Sequence, residues 1–129
     1  MENCLFCSIA AGAIPSNKVY EDDKVLVFKD INPQADVHLI AIPKQHYTDI
    51  AQFSGVNSSA DTSSIGSQAA TDSEGCRSVA VGEFIAKVSE IAKREAGDFK
   101  LLFNTGAKAG QTVFHVHGHI LGGVISGTI

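Results

Sequence analysis

The sequence lacks the basic clusters that mark proteins which bind nucleic-acid polymers. Its 129 residues carry 10 lysines and arginines against 14 aspartates and glutamates, for a formal net charge of −4. Binding to a phosphate backbone depends on positive charge that replaces the condensed counterions, so we expect no nucleic-acid polymer as a partner. A single small phosphate-bearing ligand needs only a local site, and the composition is compatible with one.

Long hydrophobic runs are absent as well. No segment approaches the roughly 20 consecutive apolar residues that span a membrane, and the first residues show neither the basic nor the apolar region of a signal peptide. We therefore expect no membrane partner and a cytoplasmic protein. The length and the hydrophobic content of 44% suit one globular domain over residues 1–129.

Histidine is scarce except in one place. The chain has five, and three of them, His115, His117 and His119, occupy alternate positions near the C-terminal end. Residues 113–121 are rich in β-branched and aromatic types, which predicts a strand in which alternate side chains share one face. Neutral imidazole is both a nucleophile and a metal ligand. A solvated strand face usually explains only one histidine, so the three rings indicate a chemical site.

The remaining pattern predicts an α+β fold. Strands are expected at residues 18–21, 24–30, 38–42, 99–104 and 113–121, and a short helix is expected before Gly12. Apolar residues at helical spacing over 81–92, with Ser78 as N-cap and Gly97 as a stop, predict one long helix over residues 78–96. We expect an antiparallel sheet of about five strands with this helix packed against it.

One segment has the composition of a flexible insertion. Residues 54–75 contain seven serines and no aromatic residue. Such a segment buries too little apolar surface to offset the entropy lost on ordering. We predict a flexible, serine-rich insertion at about residues 54–75, and its role stays open.

The region around the histidines resembles a known family. Residues 104–123, which include a glycine-rich loop suited to an anion, are similar to the histidine triad (HIT) family of nucleotide hydrolases and transferases. Residues 19–23, 28–35 and 38–46 extend the similarity, so it covers nearly the whole chain except residues 54–75. It is closest to the Hint branch of nucleoside phosphoramidases. The resemblance implies the HIT-like fold and a homodimer.

The resemblance also implies a covalent mechanism. His117 is expected to attack the α-phosphorus of a nucleotide derivative, and water then releases the nucleoside monophosphate from the nucleotidyl-histidine. His119, the Thr112 hydroxyl and nearby backbone N–H groups would stabilise the phosphoryl oxygens. A further histidine would support the triad by hydrogen bonding, with a core histidine as the alternative at that position. The expected catalytic residues are His38, Thr112, His115, His117 and His119.

Nucleoside recognition is implied in the same way. Asp30 would accept hydrogen bonds from the ribose hydroxyls, and Asn104 would contact the sugar or phosphate. Core packing is the alternative for the apolar residues placed around the base, which are Phe6, Ile9, Phe28 and Ile31. Phosphate contacts are expected from Gly110, Gln111 and Thr112. The expected substrate is a purine nucleotide derivative, and no organic cofactor is expected.

Cysteine usage adds a metal site. Cys4 and Cys7 are spaced C-x-x-C, which in a reducing compartment predicts metal binding or redox chemistry. The resemblance adds His46 and His115 as the other two ligands of a zinc ion. Because four protein ligands leave no open position, this zinc would be structural rather than catalytic. The alternative is a pair of cysteines that bind no metal.

Three other functions stay open at this point. A dinucleoside polyphosphate hydrolase would use the same histidine on the same phosphorus atom. A nucleotide-binding module would keep the pocket with little turnover, and Gly118 and the unusual insertion favour this reading. The family usually has a bulky apolar residue at the position of Gly118, so we expect weaker packing there. The third is an interaction module that depends on zinc.

Overall fold

The computed structural model describes residues 4–56 and 72–125, with side chains of the second range from Arg77 onward. The helices are α1 (Leu5–Ala10), α2 (Ile50–Phe53) and α3 (Asp72–Ala96). The strands are β1 (Lys18–Glu21), β2 (Val25–Lys29), β3 (Ala35–Pro43), β4 (Phe99–Leu102) and β5 (Gly118–Ile125). Within these residues, no helix has both the length and the apolar character needed to cross a bilayer.

The strands form one antiparallel sheet in the order β1-β2-β3-β5-β4. The predicted α+β fold with five strands, one long helix and a short N-terminal helix is therefore confirmed. β3 pairs with β5 so that Ile40 lies opposite His119 and His38 lies opposite Leu121. Because paired residues share a face and alternate residues repeat it, His38 and His119 lie on the same face of the sheet.

Both faces of the sheet are covered. Val25 and Val27 of β2 belong to the core formed with α3, whereas Leu26 and Phe28 face the smaller core formed with α1. This alternation explains why β2 is apolar along nearly its whole length: a strand buried on both sides needs apolar residues at odd and even positions. Ile40 belongs to the α1 side. His38 and His119 share that side, so α1 faces the two histidines across the sheet surface.

The predicted boundaries of the long helix need one correction. α3 begins at Asp72, upstream of the predicted cap Ser78, so residues 72–75 are helical and not part of a flexible loop. Residues 57–71 of the predicted insertion lie outside the described residues. Gly97 ends the helix as predicted, with a φ of +78° that glycine adopts without strain. The short helix α2, capped by the Asp49 carboxylate that accepts a hydrogen bond from Gln52 N–H, was not predicted.

The strand predicted at residues 113–121 begins only at Gly118. β5 pairs Gly118 with Ala41, and the same register would place His117 opposite Ile42 and then Val116 opposite Pro43. Proline has no N–H to donate, so the ladder cannot continue past this point. Val116 N–H donates instead to the Tyr47 carbonyl at 2.7 Å. His115 and His117 therefore precede the strand, and only His119 lies on it.

Gly118 does not loosen the packing, contrary to expectation. A Cβ at this position would lie 2.9 Å from Leu101 Cδ1 and 3.1 Å from Phe103 Cζ. The side chains of Leu101 and Phe103 occupy the space that a bulkier residue would need, so glycine fits the packing between β4 and β5.

Gly122 provides a test of how closely α3 packs on β5. A Cβ there would lie 2.6 Å from Ala96 Cβ and 3.2 Å from the Asp98 carbonyl oxygen. Gly122→Ala should lower the free energy of unfolding by about 2 kcal/mol, since backbone-linked atoms must shift. The matched control Gly82→Ala, at an exposed helical position with open space around it, should raise it by about 1 kcal/mol. Urea unfolding measures both; equal stability of the two variants would refute the close contact.

Candidate active site

His117 lines a cavity on the α1 side of the sheet and has 7% of its surface exposed. Among the histidines that line this cavity, only His38 is more buried. Its Nδ1 lies 2.8 Å from the His115 carbonyl oxygen. A carbonyl only accepts hydrogen bonds, so Nδ1 carries the proton and Nε2 carries the lone pair. Burial lowers the pKa of His117, which keeps the ring neutral near neutral pH. His117 therefore offers an unprotonated Nε2, the form of imidazole that acts as a nucleophile.

His38 and His119 form a second hydrogen-bonded unit. Gln34 N–H donates to His38 Nδ1 at 2.9 Å, so the proton of neutral His38 sits on Nε2. His38 Nε2 lies 3.0 Å from His119 Nδ1 and donates to it, which leaves the proton of His119 on Nε2. Burial, with smaller effects of His117 and His38, lowers the pKa of His119 to about 4. His119 is thus a neutral N–H donor.

These groups meet in a cavity of about 840 Å³ on the α1 side of the sheet. This volume lies in the range of small-molecule sites. His38, His117 and His119 line one part of it, next to Asp30. The other predicted residues in its lining are Phe6, Ile9, Phe28, Ile31, Asn104, Gly110 and Thr112. The cavity combines a nucleophilic nitrogen, N–H donors, a carboxylate and an apolar wall.

Two predicted ligand-binding residues lie elsewhere than expected. The surface of Ile31 is 96% exposed, so it forms an outer edge of the cavity and not an enclosed wall. Gln111 is buried behind the loop and is absent from the lining. Its amide nitrogen donates to the carbonyls of Thr48 and Val113, and its oxygen accepts from Gly106 N–H. Gln111 therefore holds the loop in place.

Other lining residues were not singled out from the sequence. Ile40 lies two positions after His38 on β3, and that spacing was a usable signal for a shared face. Leu102, at the end of β4, and Asn17, before β1, had no such signal because their approach depends on the tertiary fold.

A separate cluster contains the four predicted metal ligands, Cys4, Cys7, His46 and His115, whose ligand atoms all lie within 4.8 Å of one another. Cys7 Sγ lies 3.2 Å from His46 Nδ1 and 3.4 Å from His115 Nδ1. A tetrahedral zinc ion with bonds of about 2.1–2.3 Å separates its ligand atoms by about 3.5 Å. The geometry therefore fits a closed, four-coordinate zinc site.

The tautomer of His115 also suits a metal ligand. Its Nε2 donates to the Pro43 carbonyl at 2.8 Å, which leaves the Nδ1 lone pair directed at the two cysteines. Burial, followed by the neighbouring Cys4 thiol, raises the pKa of Cys7 to about 11. The thiol keeps its proton until a cation displaces it, so metal binding would release protons here.

The three rings of the triad do not share one face, which corrects the sequence-based prediction. His115 lies in the cysteine cluster, and His117 and His119 line the cavity with ring centroids 5.0 Å apart. The reason is the late start of β5 at Gly118, which frees the preceding residues from strand alternation. His115 contacts the cavity only indirectly, through the carbonyl that orients His117.

α1 connects the two sites. It follows Cys4 and carries Cys7 toward the cluster, while Phe6 and Ile9 line the cavity. The Phe6 ring lies edge-to-face on His117, with centroids 5.0 Å apart, and approaches His115 at 6.1 Å. A change in the cluster that moves α1 would therefore also move a wall of the cavity.

Comparisons with known sequences and structures show which family the chain belongs to. Residues 11–124 match the model of the HIT domain. The chain belongs to the HIT domain family. It is 42% identical over 124 residues to protein HitA of Neisseria gonorrhoeae, covering 95% of this chain and 97% of that protein. A solved structure of a HIT family hydrolase from Clostridium thermocellum is similar with a TM-score of 0.73 and 33% identity, covering 100% and 97%. The 14 kDa zinc-binding protein of Brassica juncea is 33% identical, covering 92% and 91%.

This HIT domain contains a second group of possible metal ligands, Asp30, His38 and His119, within 4.8 Å of one another. Its hydrogen bonds argue against a metal. Gln34 N–H occupies the His38 Nδ1 lone pair, so Nε2 of the neutral ring is protonated and cannot coordinate a cation. The group is a hydrogen-bonded network.

The lowered pKa of His119 predicts a stability that depends on pH. At a pH between the ordinary pKa of 6.5 and the folded value of about 4, His119 is protonated in the unfolded HIT domain and neutral in the folded domain. Stability therefore falls as pH drops through this window, by about 1–3 kcal/mol for this group. Urea unfolding at several pH values should show a shallower acid loss for His119→Gln than for the wild type. If His119→Gln and the wild type lost the same stability as the pH falls, the burial of a neutral His119 would be contradicted.

Proposed function

We propose that the protein is a nucleotide hydrolase that cleaves purine nucleoside phosphoramidates at the α-phosphate through a nucleotidyl-histidine. One observation carries the proposal: the unprotonated Nε2 of His117 and the N–H of His119 belong to one cavity, with ring centroids 5.0 Å apart. A nucleophile beside a donor for developing negative charge is the arrangement that phosphoryl transfer needs.

In the first step, His117 Nε2 forms a bond to the α-phosphorus as the bond between phosphorus and the leaving amine breaks. The amine takes a proton from solvent at the cavity mouth. In the second step, water oxygen bonds to phosphorus, the bond from phosphorus to Nε2 breaks, and the water proton returns to solvent. The His117 lone pair is restored and the nucleoside monophosphate leaves.

His119 is proposed to stabilise charge, not to supply the proton. Its Nδ1 accepts from His38, and His38 Nδ1 accepts from a backbone N–H, so the chain of hydrogen bonds ends without a proton source. A neutral Nε2–H would donate to a phosphoryl oxygen throughout the reaction. The Thr112 hydroxyl would supply a further donor, whereas the N–H groups of Gly110 and Gln111 already donate to the Ala107 and Gly106 carbonyls.

The nucleoside would occupy the apolar part of the cavity. Phe6, Ile9 and Phe28 are buried apolar residues of the lining and would contact a base, and the Asp30 carboxylate of the same cavity would accept from ribose hydroxyls. Asn104 lines the cavity next to Gly110, where it would contact sugar or phosphate. Apolar contact favours the larger surface of a purine.

The cluster of Cys4, Cys7, His46 and His115 would hold one zinc ion, which would tie α1 to the segment before β5. We further infer that residues 1–129 form a single HIT domain, that it works as a homodimer and that it resides in the cytoplasm, where thiols stay reduced. Sedimentation that yields only monomer at micromolar concentration would reject the dimer.

The test is turnover of adenosine 5′-phosphoramidate and of a diadenosine polyphosphate by the purified protein, with AMP release followed by chromatography. The proposal expects faster release from the phosphoramidate. Faster cleavage of the dinucleotide would instead assign the polyphosphate hydrolase, since both reactions need the same nucleophile. Binding of AMP with no turnover of either substrate would leave a nucleotide-binding module and contradict the enzyme.

A further inference from the structure

The N–H of His38 Nε2 lies beside two groups that attract its proton. It forms a hydrogen bond with His119 Nδ1 at 3.0 Å, and Asp30 Oδ2 lies 3.3 Å from the same nitrogen as a charged neighbour. The side chain of His38 is 3% exposed and that of Asp30 is 16% exposed, so water screens this contact little. The N–H that serves a ring nitrogen of the reaction centre is therefore also in electrostatic contact with a carboxylate oxygen.

The geometry of this contact is fixed from both sides. Gln34 N–H donates to His38 Nδ1 at 2.9 Å, which prevents the ring from exchanging its tautomer. Asn32 N–H donates to Asp30 Oδ1 at 2.8 Å, which orients the carboxylate so that its other oxygen faces His38. Neither partner is free to turn away, and a change at Asp30 Oδ2 must alter the bond between His38 and His119.

We propose that Asp30 is a positioning residue that couples recognition of the nucleoside sugar to the strength of His119 as a hydrogen-bond donor. The inference rests on the proposed function, in which ribose hydroxyls donate to Asp30. Hydroxyls that donate to Oδ2 weaken its electrostatic pull on the His38 N–H, so the His38 proton shifts toward His119 Nδ1. A ring that accepts a stronger hydrogen bond at Nδ1 is a better donor at Nε2, because hydrogen bonds in a chain polarise one another.

The consequence appears in the rate of the chemical step. If Asp30 only held the sugar, the loss of the ribose hydroxyls would raise KM and leave kcat unchanged. With coupling, a bound ribose improves the donor that faces the phosphoryl oxygen, and this gain is largest when charge develops in the transition state. Substrates that lack the hydroxyls should therefore lose kcat as well as affinity.

The first test compares adenosine 5′-phosphoramidate with its 2′,3′-dideoxy analogue in the wild type, Asp30→Ala and Asp30→Asn. The wild type should lose about three- to tenfold in kcat on the dideoxy substrate. Asp30→Ala removes the carboxylate that competes with His119 for the His38 proton, so its kcat on the dideoxy substrate should exceed that of the wild type and match its own kcat on the ribose substrate. Asp30→Asn, which removes the charge and keeps a polar oxygen, should fall between them. Asp23→Asn, an exposed carboxylate outside the cavity, is the charge control.

The second test does not need turnover. ¹⁵N spectra of the histidine rings should show the His119 Nδ1 signal moving toward stronger hydrogen bonding when AMP binds, and not when 2′,3′-dideoxy-AMP binds. A wild type whose kcat is the same on both substrates, or an Nδ1 signal that responds equally to both nucleotides, would overturn the coupling. Absence of turnover with an AMP-specific Nδ1 shift would contradict the proposed hydrolase and keep the coupling; absence of AMP binding would overturn both.

Discussion

Replacement of His117 by alanine is expected to lower kcat on adenosine 5′-phosphoramidate by about 10⁴-fold or more, to the level of background hydrolysis. Among the described residues that line the cavity, the ring nitrogens of the other two histidines are committed: His38 Nδ1 to Gln34, and His119 Nδ1 to His38. No second imidazole lone pair is available to attack phosphorus. His119→Ala, which removes one donor and keeps the nucleophile, should cost only about 10²- to 10³-fold.

The kcat values can be compared only if the His117→Ala variant folds like the wild type. His117 is outside the cysteine cluster, so the alanine variant should keep its metal content. Its affinity for AMP should change by less than about tenfold, because a single ring contact is removed from a large apolar wall. Residual kcat within tenfold of the wild type would contradict a covalent role for His117.

Loss of the proposed zinc site is expected to affect nucleotide binding as well as stability. Cys7→Ser should reduce zinc from one ion per chain to a small fraction, lower the melting temperature markedly and weaken AMP binding by about ten- to a hundredfold. The reason is that α1 carries the cavity residues Phe6 and Ile9 and is attached through Cys4 and Cys7. The binding free energy of a structural zinc is folding free energy for the segment it holds.

The measurement combines metal analysis, thermal unfolding and calorimetric titration with AMP. Ser8→Ala, on the same helix and outside the cluster, is the matched control and should behave like the wild type. Re-addition of zinc to chelator-treated wild type should restore AMP affinity. A chelated protein that binds AMP as tightly as the untreated one would show that the metal does not hold the wall of the cavity.

Elements with a strong local signal could be predicted from the sequence. The apolar run of β2, the apolar run that follows His38 and the stop at Gly97 depend on neighbours along the chain, and the structure follows them closely. The family resemblance predicted which residues meet in the cavity, because four similar stretches of sequence in one order constrain a fold more than any single stretch does. The start of β5 was wrong because Pro43, which ends the ladder, lies on another strand.

The finer chemistry of the site depends on contacts across the sheet, which no local pattern contains. The motif suggested that Gln111 contacts phosphate, whereas its buried amide bonds to Thr48 and Val113. The contact of Asp30 with the N–H that His38 donates to His119 depends on the register of β3 and β5 and on two backbone N–H groups. The tautomers follow from these bonds.

In the proposed mechanism, phosphorus is attacked twice, first by His117 and then by water. The most direct measurement is the stereochemical course at the α-phosphorus, with a phosphoramidate made chiral by sulfur and hydrolysed in ¹⁸O-labelled water, read by ³¹P spectroscopy. Each in-line displacement inverts the configuration, so two displacements predict net retention. Net inversion would mean a single direct attack by water and would contradict the nucleotidyl-histidine.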